Sequence, residues 1–313
     1  MPRISLVVCL FQERDFLQRL LRETGGLFDD LVVVHDGPEN EKASPGEAPA
    51  IDYGHRSQDE ELPNEYTQPS LPPHTGSIHE LVVANGGRYF EGPRCYQQEP
   101  HWPFAWWQAR HDWILRLDAD EFPSDDLRRW LQNFRNLSEE PAISGYLCIW
   151  PMWDGQRTVT RAWPATRNFL FHRRRVRFFG MVEQVPLPDN KWQALPLTLC
   201  HQPHRKSYGL HNVLIRPQGR QWRRVIAESL LGQPSDLPRW RWGDETWPYF
   251  WQRLRAQPVR AGAYFLARNF VGATIHLWQT ERRIRPAMAL ATPLHHFLLA
   301  LKLRRLRQKQ DDA

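Results

Sequence analysis

The stretch that decides the fold is "ISLVVCLFQERDFLQRLLRE" (residues 4–23), which is followed closely by "DDLVVVHDG" (29–37). It opens with a continuous apolar, β-branched run, the pattern of a strand buried on both faces. The residues after this run place apolar side chains on one helical face, and Gly25 ends the helix. A second buried strand ends at Asp36. Strand, helix and strand at this spacing predict a βαβ unit in a parallel sheet.

A third apolar run, in "WILRLDADEF" (113–122), ends in three carboxylates, Asp118, Asp120 and Glu121, with no turn residue before them. Ionised carboxylates beside a core are costly unless they are paired or bound to a cation. On an extended chain Asp118 and Asp120 face the same side, and two such groups form a hard oxygen site suited to Mg²⁺ or Mn²⁺. The pattern leaves a metal site and a solvated strand end both open.

Composition limits the class of protein. The chain has 313 residues, 41% of them apolar, which is enough for a real core. A mean hydropathy of −0.61 and the lack of an apolar run of roughly 20 residues argue against an integral membrane protein. The first apolar run reaches charge at Glu13 without a small-residue cleavage site, so it predicts a strand and not a signal peptide. Four scattered cysteines without a CxxC pair argue against a zinc cluster and favour a reducing, cytoplasmic compartment.

The charge is basic, with a formal net value of +6 and a pI near 9.3. Basic chains often meet anionic partners such as nucleic acid, phosphorylated small molecules or a membrane surface. The basic residues are dense in 171–179 and 301–309. The 15 tryptophans fit a Trp-rich core, stacking on sugar rings or bases, or an interfacial belt.

The chain is predicted to divide into an α/β domain over residues 1–206 and a basic, Trp-rich helical region over 207–313. A Pro-, Glu- and Ser-rich stretch, 38–76, indicates an exposed insertion in the first domain. Apolar runs around 143–187 read as later strands without comparable helices between them, which predicts mixed or antiparallel pairing there.

Open α/β sheets bind ligands outside the carboxyl ends of their parallel strands. Three such ends in this sequence contain Glu13, Asp36 and the Asp118–Glu121 stretch.

Together, "ISLVVCLFQERDFLQRLLRE", "DDLVVVHDG" and "DWILRLDADEF" resemble the nucleotide-binding half of family-2 inverting glycosyltransferases with the GT-A fold, over roughly residues 3–37 and 77–206. The resemblance implies an α/β fold: a Rossmann-like mixed sheet flanked by helices, with a C-terminal helical appendage. It also implies metal-dependent transfer of a sugar from a nucleoside diphosphate sugar, expected to be a UDP-sugar. The acceptor would be a hydroxyl of a cell-envelope, lipopolysaccharide-type glycan or a related glycoconjugate.

The resemblance assigns roles to the acids. Asp120 would bind Mn²⁺ or Mg²⁺ directly, and Asp118 would contact the donor's ribose or support the metal through water. Asp36 would meet the nucleotide base or ribose, with Glu13 at the rim of the same pocket. The metal would stabilise the charge that develops on the leaving nucleoside diphosphate.

A second match lies in "FFGMVEQVPL" (178–187), which resembles a family stretch written roughly as Gly-x-His-Glu. Gly180 and Glu183 are kept, and Val182 stands where the His is usual. Glu183 is then the candidate general base for the acceptor hydroxyl. Asp154 is a rival, and a strand-edge charge paired with an Arg is the structural alternative for Glu183.

A third match lies in "LTLCHQPHRKSYG" (197–209), which resembles the family's later strand that ends in a metal-ligating His. It makes His201 a third metal ligand, with His204 as the fallback, whereas a lone His is otherwise a surface or core residue.

Several polar residues before the acidic strand are candidates for donor contact or for helix packing: Arg94, Glu99, His101 and Arg110. The cluster "HRRRVR" (172–177) fits a diphosphate, an anionic acceptor or a solvated strand edge.

The expected partners are a nucleoside diphosphate sugar and a glycan or lipid-linked glycan. An amphipathic helix over 293–309 ends in five cations, which fits either an anionic membrane surface on the cytoplasmic side or a helix packed on the core with a basic tail.

The alternative function is a non-catalytic protein on the same fold that binds an anionic glycan or nucleic acid. Nucleic acid is not expected, because the acidic cluster would repel phosphate. A nucleotidyltransferase is disfavoured because "CLFQERDF" has no glycine.

Overall fold

The computed structural model describes residues 1–40, 68, 76–153, 156, 158–160, 166–202, 217–243, 246–281 and 286–312. These residues fall into two compact units. The first contains the described residues up to 202 together with Pro238–Trp242, and the second contains the other described residues from 217 onward. Most of the predicted insertion 38–76 lies outside the described residues.

The first unit contains thirteen strands among its described residues. They are β1 (Ile4–Leu10), β2 (Asp30–Asp36), β3 (Arg88–Gly92), β4 (Trp113–Arg116), β5 (Glu121–Pro123), β6 (Gly145–Ile149), β7 (Met152–Trp153), β8 (Thr158–Thr160), β9 (Thr166–His172), β10 (Val176–Phe179), β11 (Leu187–Pro188), β12 (Trp192–His201) and β13 (Arg239–Trp240).

Its helices are α1 (Arg14–Thr24), α2 (Ile78–Ala84), α3 (Trp102–Gln108) and α4 (Asp125–Arg135), with short 3₁₀ turns at Glu99–His101 and Arg173–Arg175. Helix α4 begins where the sequence predicts, because the Ser124 side chain accepts a hydrogen bond from the Leu127 amide and caps the first turn.

Ten of the described strands form one mixed sheet in the order β3-β2-β1-β4-β9-β6-β12-β7-β8, with β5 paired to β12. Strands β3, β2, β1 and β4 are parallel, β9 is antiparallel to both β4 and β6, and β12 is parallel to β6. The carboxyl ends of β1, β2 and β4 therefore lie along one edge of the sheet. A separate three-stranded sheet has the order β11-β10-β13.

The core lies on both faces of the sheet, because alternate side chains of the fully buried strands point to opposite sides. Leu6 and Val33 pack on the face covered by α1, α2 and α4. Val7 and Val32 pack on the other face, which is covered by the tryptophans of α3. The predicted mixed α/β sheet flanked by helices is confirmed. Strand β3, at one end of the sheet order, was not predicted.

The described part of the second unit is mainly helical. Its helices are α5 (Pro217–Leu231), α6 (Tyr249–Ala256), α7 (Pro258–Glu281) and α8 (Pro286–Asp311). This agrees with the predicted C-terminal helical appendage. Among the described residues, none of the helices combines the length and the apolar character that crossing a bilayer requires.

Candidate functional site

The acidic turn after β4 is fixed between two parts of the sheet. It leaves the centre of the sheet at β4 and enters β5, where Glu121 lies opposite His201 of β12. The turn is closed by a hydrogen bond from the Glu121 amide to the Asp118 carbonyl at 3.0 Å, and the Gln202 amide donates to the Asp120 carbonyl at 2.8 Å. The long-range pairing with β12 therefore positions all three predicted carboxylates.

The structure brings together the two predicted metal ligands. Nε2 of His201 lies 3.2 Å from Oδ2 of Asp120, and the imidazole stacks on Trp150 at 4.4 Å between ring centroids. Burial opposes a charged imidazole, but the hydrogen bond to Asp120 and the adjacent carboxylates outweigh it, so the pKa of His201 is raised. His201 is thus held next to Asp120 with a fixed ring plane. The fallback ligand, His204, lies outside the described residues.

Asp118 and Glu121 share one arginine that sequence reasoning missed. Arg167 of β9 donates to Oδ2 of Asp118 at 2.6 Å, and its Nε lies 3.1 Å from Oε1 of Glu121. Burial raises the pKa of Glu121 to about 7, although Arg167 opposes the shift. Oδ1 of Asp118 is buried and has no hydrogen-bond partner among the described residues. Asp118 therefore offers one carboxylate oxygen to a ligand.

Glu13 lies close enough to the acidic turn for the charges of the turn to shift the pKa of its carboxyl group. It follows β1 at the start of α1 and is half-buried. Its pKa is raised to about 8, first by burial and then by the charges of Asp120 and Asp118. The carboxyl groups of Glu13, Asp118 and Asp120 repel one another where they are partly shielded from water, so a cation between them would be favourable.

Asp36 has protein partners on both of its carboxylate oxygens. Oδ1 accepts from the Cys95 amide at 2.5 Å and lies 3.0 Å from Nε2 of His101, and Oδ2 forms an ion pair with Arg94. The guanidinium of Arg94 lies over the ring of Phe11 at 3.4 Å. Asp36, predicted to contact the nucleotide, thus also orients Arg94 and the loop after β3.

Among the described residues, the group of three potential ligands whose atoms lie within 4.8 Å of one another is Asp36, Cys95 and His101, all of them buried. The bonds of Asp36 to the Cys95 backbone amide and to the His101 imidazole already account for the closeness of these residues. We therefore interpret the group as an anchor for the β2–β3 edge.

A buried histidine links the loops after β1 and β2. His35 accepts a hydrogen bond from the Gln12 amide at Nε2 (3.2 Å), and its Nδ1 lies 2.7 Å from the Gly37 carbonyl. This pattern requires a neutral imidazole with the proton on Nδ1, and burial lowers the pKa of His35 in agreement. Gln12 adopts a left-handed conformation with φ of 54°. The histidine thus holds the first loop of the site in a strained shape.

Glu183 lies in the loop after β10. Its backbone is left-handed, with φ of 66°, and its amide donates to Oε1 of partly buried Glu99 at 3.0 Å. Burial raises the pKa of Glu99, and the charges of Asp118 and Glu183 add to that effect. Val182, which directly precedes Glu183, is buried. Glu99 is therefore an anchor of the candidate base loop, and the rival base Asp154 lies outside the described residues.

Two predicted ligand contacts lie away from this edge of the sheet. Arg110 contacts Asp30, which begins β2, so it lies at the opposite, amino-terminal edge. In the cluster 172–177, Arg173 and Arg174 pair with Asp112, which immediately precedes β4. In this structure these cations therefore pair with acids at strand ends.

Sequence reasoning also missed Arg116, whose side chain is buried within the apolar run "WILRL". It stacks over Trp102 at 4.1 Å and donates to the Asn168 side chain at 2.7 Å. A charged residue inside an otherwise apolar strand was the available indication. Trp150 and Arg167 gave no comparable indication, because their role arises from strand pairing.

No protein-family model and no curated protein sequence matches the chain. Among solved structures, a crystal structure of S. aureus TarS has a TM-score of 0.33 at 10% identity, covering 74% of this chain and 40% of that one. A structure of S. aureus TarS 1–349 has a TM-score of 0.34 at 11% identity, and one of TarS 1–349 in complex with UDP has 0.32 at 10%. Each covers 98% of this chain and 92% of the other. Such low values assign neither a family nor a function to this chain.

Proposed function

We propose that this protein is a metal-dependent inverting glycosyltransferase that moves a sugar from a nucleoside diphosphate sugar, expected to be a UDP-sugar, to a hydroxyl of a glycan or lipid-linked glycan. The observation that carries the proposal is the meeting of Asp118, Asp120 and His201 at the carboxyl edge of the sheet. A cytoplasmic location remains a prediction.

The residues fit a divalent cation. Asp120 and His201 present an oxygen and a nitrogen 3.2 Å apart, and Oδ1 of Asp118 is buried without a hydrogen-bond partner among the described residues. Mg²⁺ and Mn²⁺ take such ligands and use substrate phosphates to complete their coordination. When bound, the metal supplies electrostatic stabilisation of the departing diphosphate.

The chain's own residues bind and orient the donor. Arg94 presents a guanidinium that lies over the rings of Phe11 and Tyr96. This group of cation and aromatic faces suits the nucleoside end of the donor, and Asp36 holds it in place. Glu13 adds a carboxyl at the rim, where a ribose hydroxyl is the complementary group.

Glu183 accepts the proton of the acceptor hydroxyl in this mechanism. The acceptor oxygen forms a bond to the anomeric carbon, the bond from that carbon to the diphosphate oxygen breaks, and the electron pair leaves with the nucleoside diphosphate. Attack from the face opposite the leaving group inverts the anomeric centre. The left-handed backbone and the hydrogen bond to Glu99 fix the loop from which the Glu183 side chain extends.

The test is calorimetric titration with UDP, GDP, CMP and dTDP, each in Mn²⁺ and in EDTA. We expect one nucleotide to bind in Mn²⁺ and to lose most of its affinity in EDTA or with Asp120→Asn. Asp126→Asn is the matched control, because Asp126 pairs with Arg129 on the exposed surface of α4. Absence of nucleotide binding in Mn²⁺ would contradict the proposal and favour a non-catalytic binding protein.

A further inference from the structure

Helix α7 has a solvent-exposed apolar face. Tyr264, Val271, Ile275 and Trp278 have relative exposures between 45% and 55%. Their spacing of seven, four and three residues places them on one side of the helix, as a continuous stripe. We call these four residues the α7 stripe. The sequence from 269 to 278 contains no Asp, Glu, Lys or Arg. An apolar surface of this kind is unusual in contact with water.

The opposite face of α7 is already used for packing. Ala261, Phe265 and Ala273 are buried. A Cβ added at Gly262 would overlap Ala300 of α8, so the two helices approach closely there. The α7 stripe is therefore additional to the apolar surface that the second unit needs for its own core.

Exposed cations lie on α7 and on its packing partner α8. Arg260 and Arg268 are exposed on α7, and Arg304 and Arg305 are exposed on α8. Between residues 249 and 310 the sequence contains twelve lysines and arginines and one acidic residue. The whole chain has a net charge of only +6, so positive charge is concentrated in this segment. A partner for the stripe must therefore accept apolar side chains and carry negative charge.

A second copy of the chain meets only the first of these requirements. In a two-fold interface the same patch faces itself, so the arginines beside the stripe would face arginines. An anionic bilayer meets both requirements, because lipid phosphates pair with arginine and the interface accepts Trp, Tyr and aliphatic side chains. We propose that the second unit binds the surface of an anionic lipid membrane through the α7 stripe, with α7 lying in the plane of the headgroups.

This assignment places the membrane contact on a different helix from the one predicted by sequence. Within 293–309, Leu299, Ala300 and Leu303 are buried, and α8 packs against α7 and α5. The apolar side of α8 is thus largely covered inside the second unit, whereas exposed Arg304 and Arg305 remain available to headgroups.

The test is flotation of the full chain with vesicles of phosphatidylcholine alone or with about 30% phosphatidylglycerol. Nucleotide is omitted, so the result does not depend on the proposed function. We expect binding to the anionic vesicles only, and a loss of about tenfold or more for the double variant Ile275→Ser with Trp278→Ser. The double variant Arg260→Gln, Arg268→Gln should bind the anionic vesicles more weakly. Its binding should also depend less on salt concentration. Trp107→Ser is the matched control, because Trp107 is 61% exposed on α3 of the first unit.

A second measurement identifies the residue that enters the bilayer. Lipids with a nitroxide on the acyl chain should quench tryptophan fluorescence in the native chain and in Trp107→Phe, and quench it less in Trp278→Phe. Equal quenching in all three proteins would overturn the proposal. So would binding that survives the Ile275→Ser, Trp278→Ser double variant. A dimer by light scattering that this double variant dissociates, without vesicle binding by the native chain, would show that a second copy covers the stripe.

Discussion

Nε2 of His201 lies 3.2 Å from Oδ2 of Asp120, and the same imidazole stacks face to face on Trp150. The contact exists because β5 and β12 pair across a large separation in sequence, with Glu121 opposite His201. The strand pairing therefore holds a carboxylate oxygen of Asp120 beside an imidazole nitrogen of His201 in the protein without ligand.

His201→Ala should weaken Mn²⁺ binding about tenfold or more, because it removes a ligand that Trp150 has already oriented. Manganese paramagnetic resonance without nucleotide measures the affinity directly. The matched control is His111→Ala at the opposite edge of the sheet, where the backbone amide of His111 donates to Ser5. Equal affinities for the two variants would remove His201 from the metal site.

Arg167→Met should lower the free energy of unfolding by about 3 kcal/mol, because it leaves the carboxylates of Asp118 and Glu121 buried without their shared cation. Urea denaturation in EDTA measures the loss. Adding Asp118→Asn and Glu121→Gln to this variant should restore much of the stability. Arg129→Met, which removes an exposed pair with Asp126, should cost less than about 1 kcal/mol.

Glu183→Gln should reduce turnover about 100-fold or more and leave nucleotide affinity unchanged. The amide that donates to Glu99 is kept, so the loop should hold its shape. Product formation and calorimetry separate the two effects. Glu140→Gln, on an exposed pair with Arg175, is the control. Full turnover by Glu183→Gln, with loss in Asp154→Asn, would transfer the role of base to Asp154.

Gly180→Ala should lower the free energy of unfolding by about 1–3 kcal/mol, because a Cβ there would overlap the carbonyl oxygen of Pro238. That carbonyl accepts the Gly180 amide at 2.7 Å, so the overlap should also displace the loop that contains Glu183. The control is Gly243→Ala, where an added Cβ meets nothing within 4 Å. Unchanged stability of Gly180→Ala would show that the β10 and β13 ends can separate at little cost.

Glu13 should make the metal-free protein less stable as pH rises. Its pKa is raised to about 8 in the folded protein, from 4.5 in its unperturbed state. Protonation therefore favours folding, and this contribution is complete below pH 4.5 and lost as pH rises to about 8. Urea denaturation in EDTA at several pH values should show that the free energy of unfolding falls less steeply with pH in Glu13→Gln than in the native chain. Above pH 8 we expect Glu13→Gln to be more stable by about 1 kcal/mol, a small difference because water partly screens the half-buried side chain. Exposed Glu139, replaced by Gln, is the control, and a decline unchanged in Glu13→Gln would contradict the assignment.

The strands and helices that are specified by residues close together in the chain could be predicted from the sequence. The apolar runs of β1 and β2 are continuous, and Ser124 caps α4 with its own side chain. Strand β3 was missed because Arg88–Gly92 is short, contains a glycine and is only partly buried, so its pattern resembles a loop.

The partners within the site could not be read from local pattern. Arg167 reaches Asp118 because β9 inserts antiparallel between β4 and β6, which nothing near Arg167 in the sequence encodes. Asp36 was correctly placed at a strand end, but its bonds to Cys95 and His101 depend on how the chain returns after β3. Residue type and strand end were predictable, whereas the partner of each side chain was not.

The pairing of β5 with β12 also has a consequence for the order of folding. Glu13, Asp118 and His201 belong to segments far apart in the chain, and Arg19 of α1 bonds to Gln202 across 183 residues. Forming such contacts first requires the closure of large loops, which costs chain entropy before the contacts stabilise the fold. They are therefore slow to form. The acidic turn should therefore stay open to water until β12 docks. Refolding followed by Mn²⁺ uptake would then report the last step of assembly of the first unit, later than the burial of the β1 and β2 core.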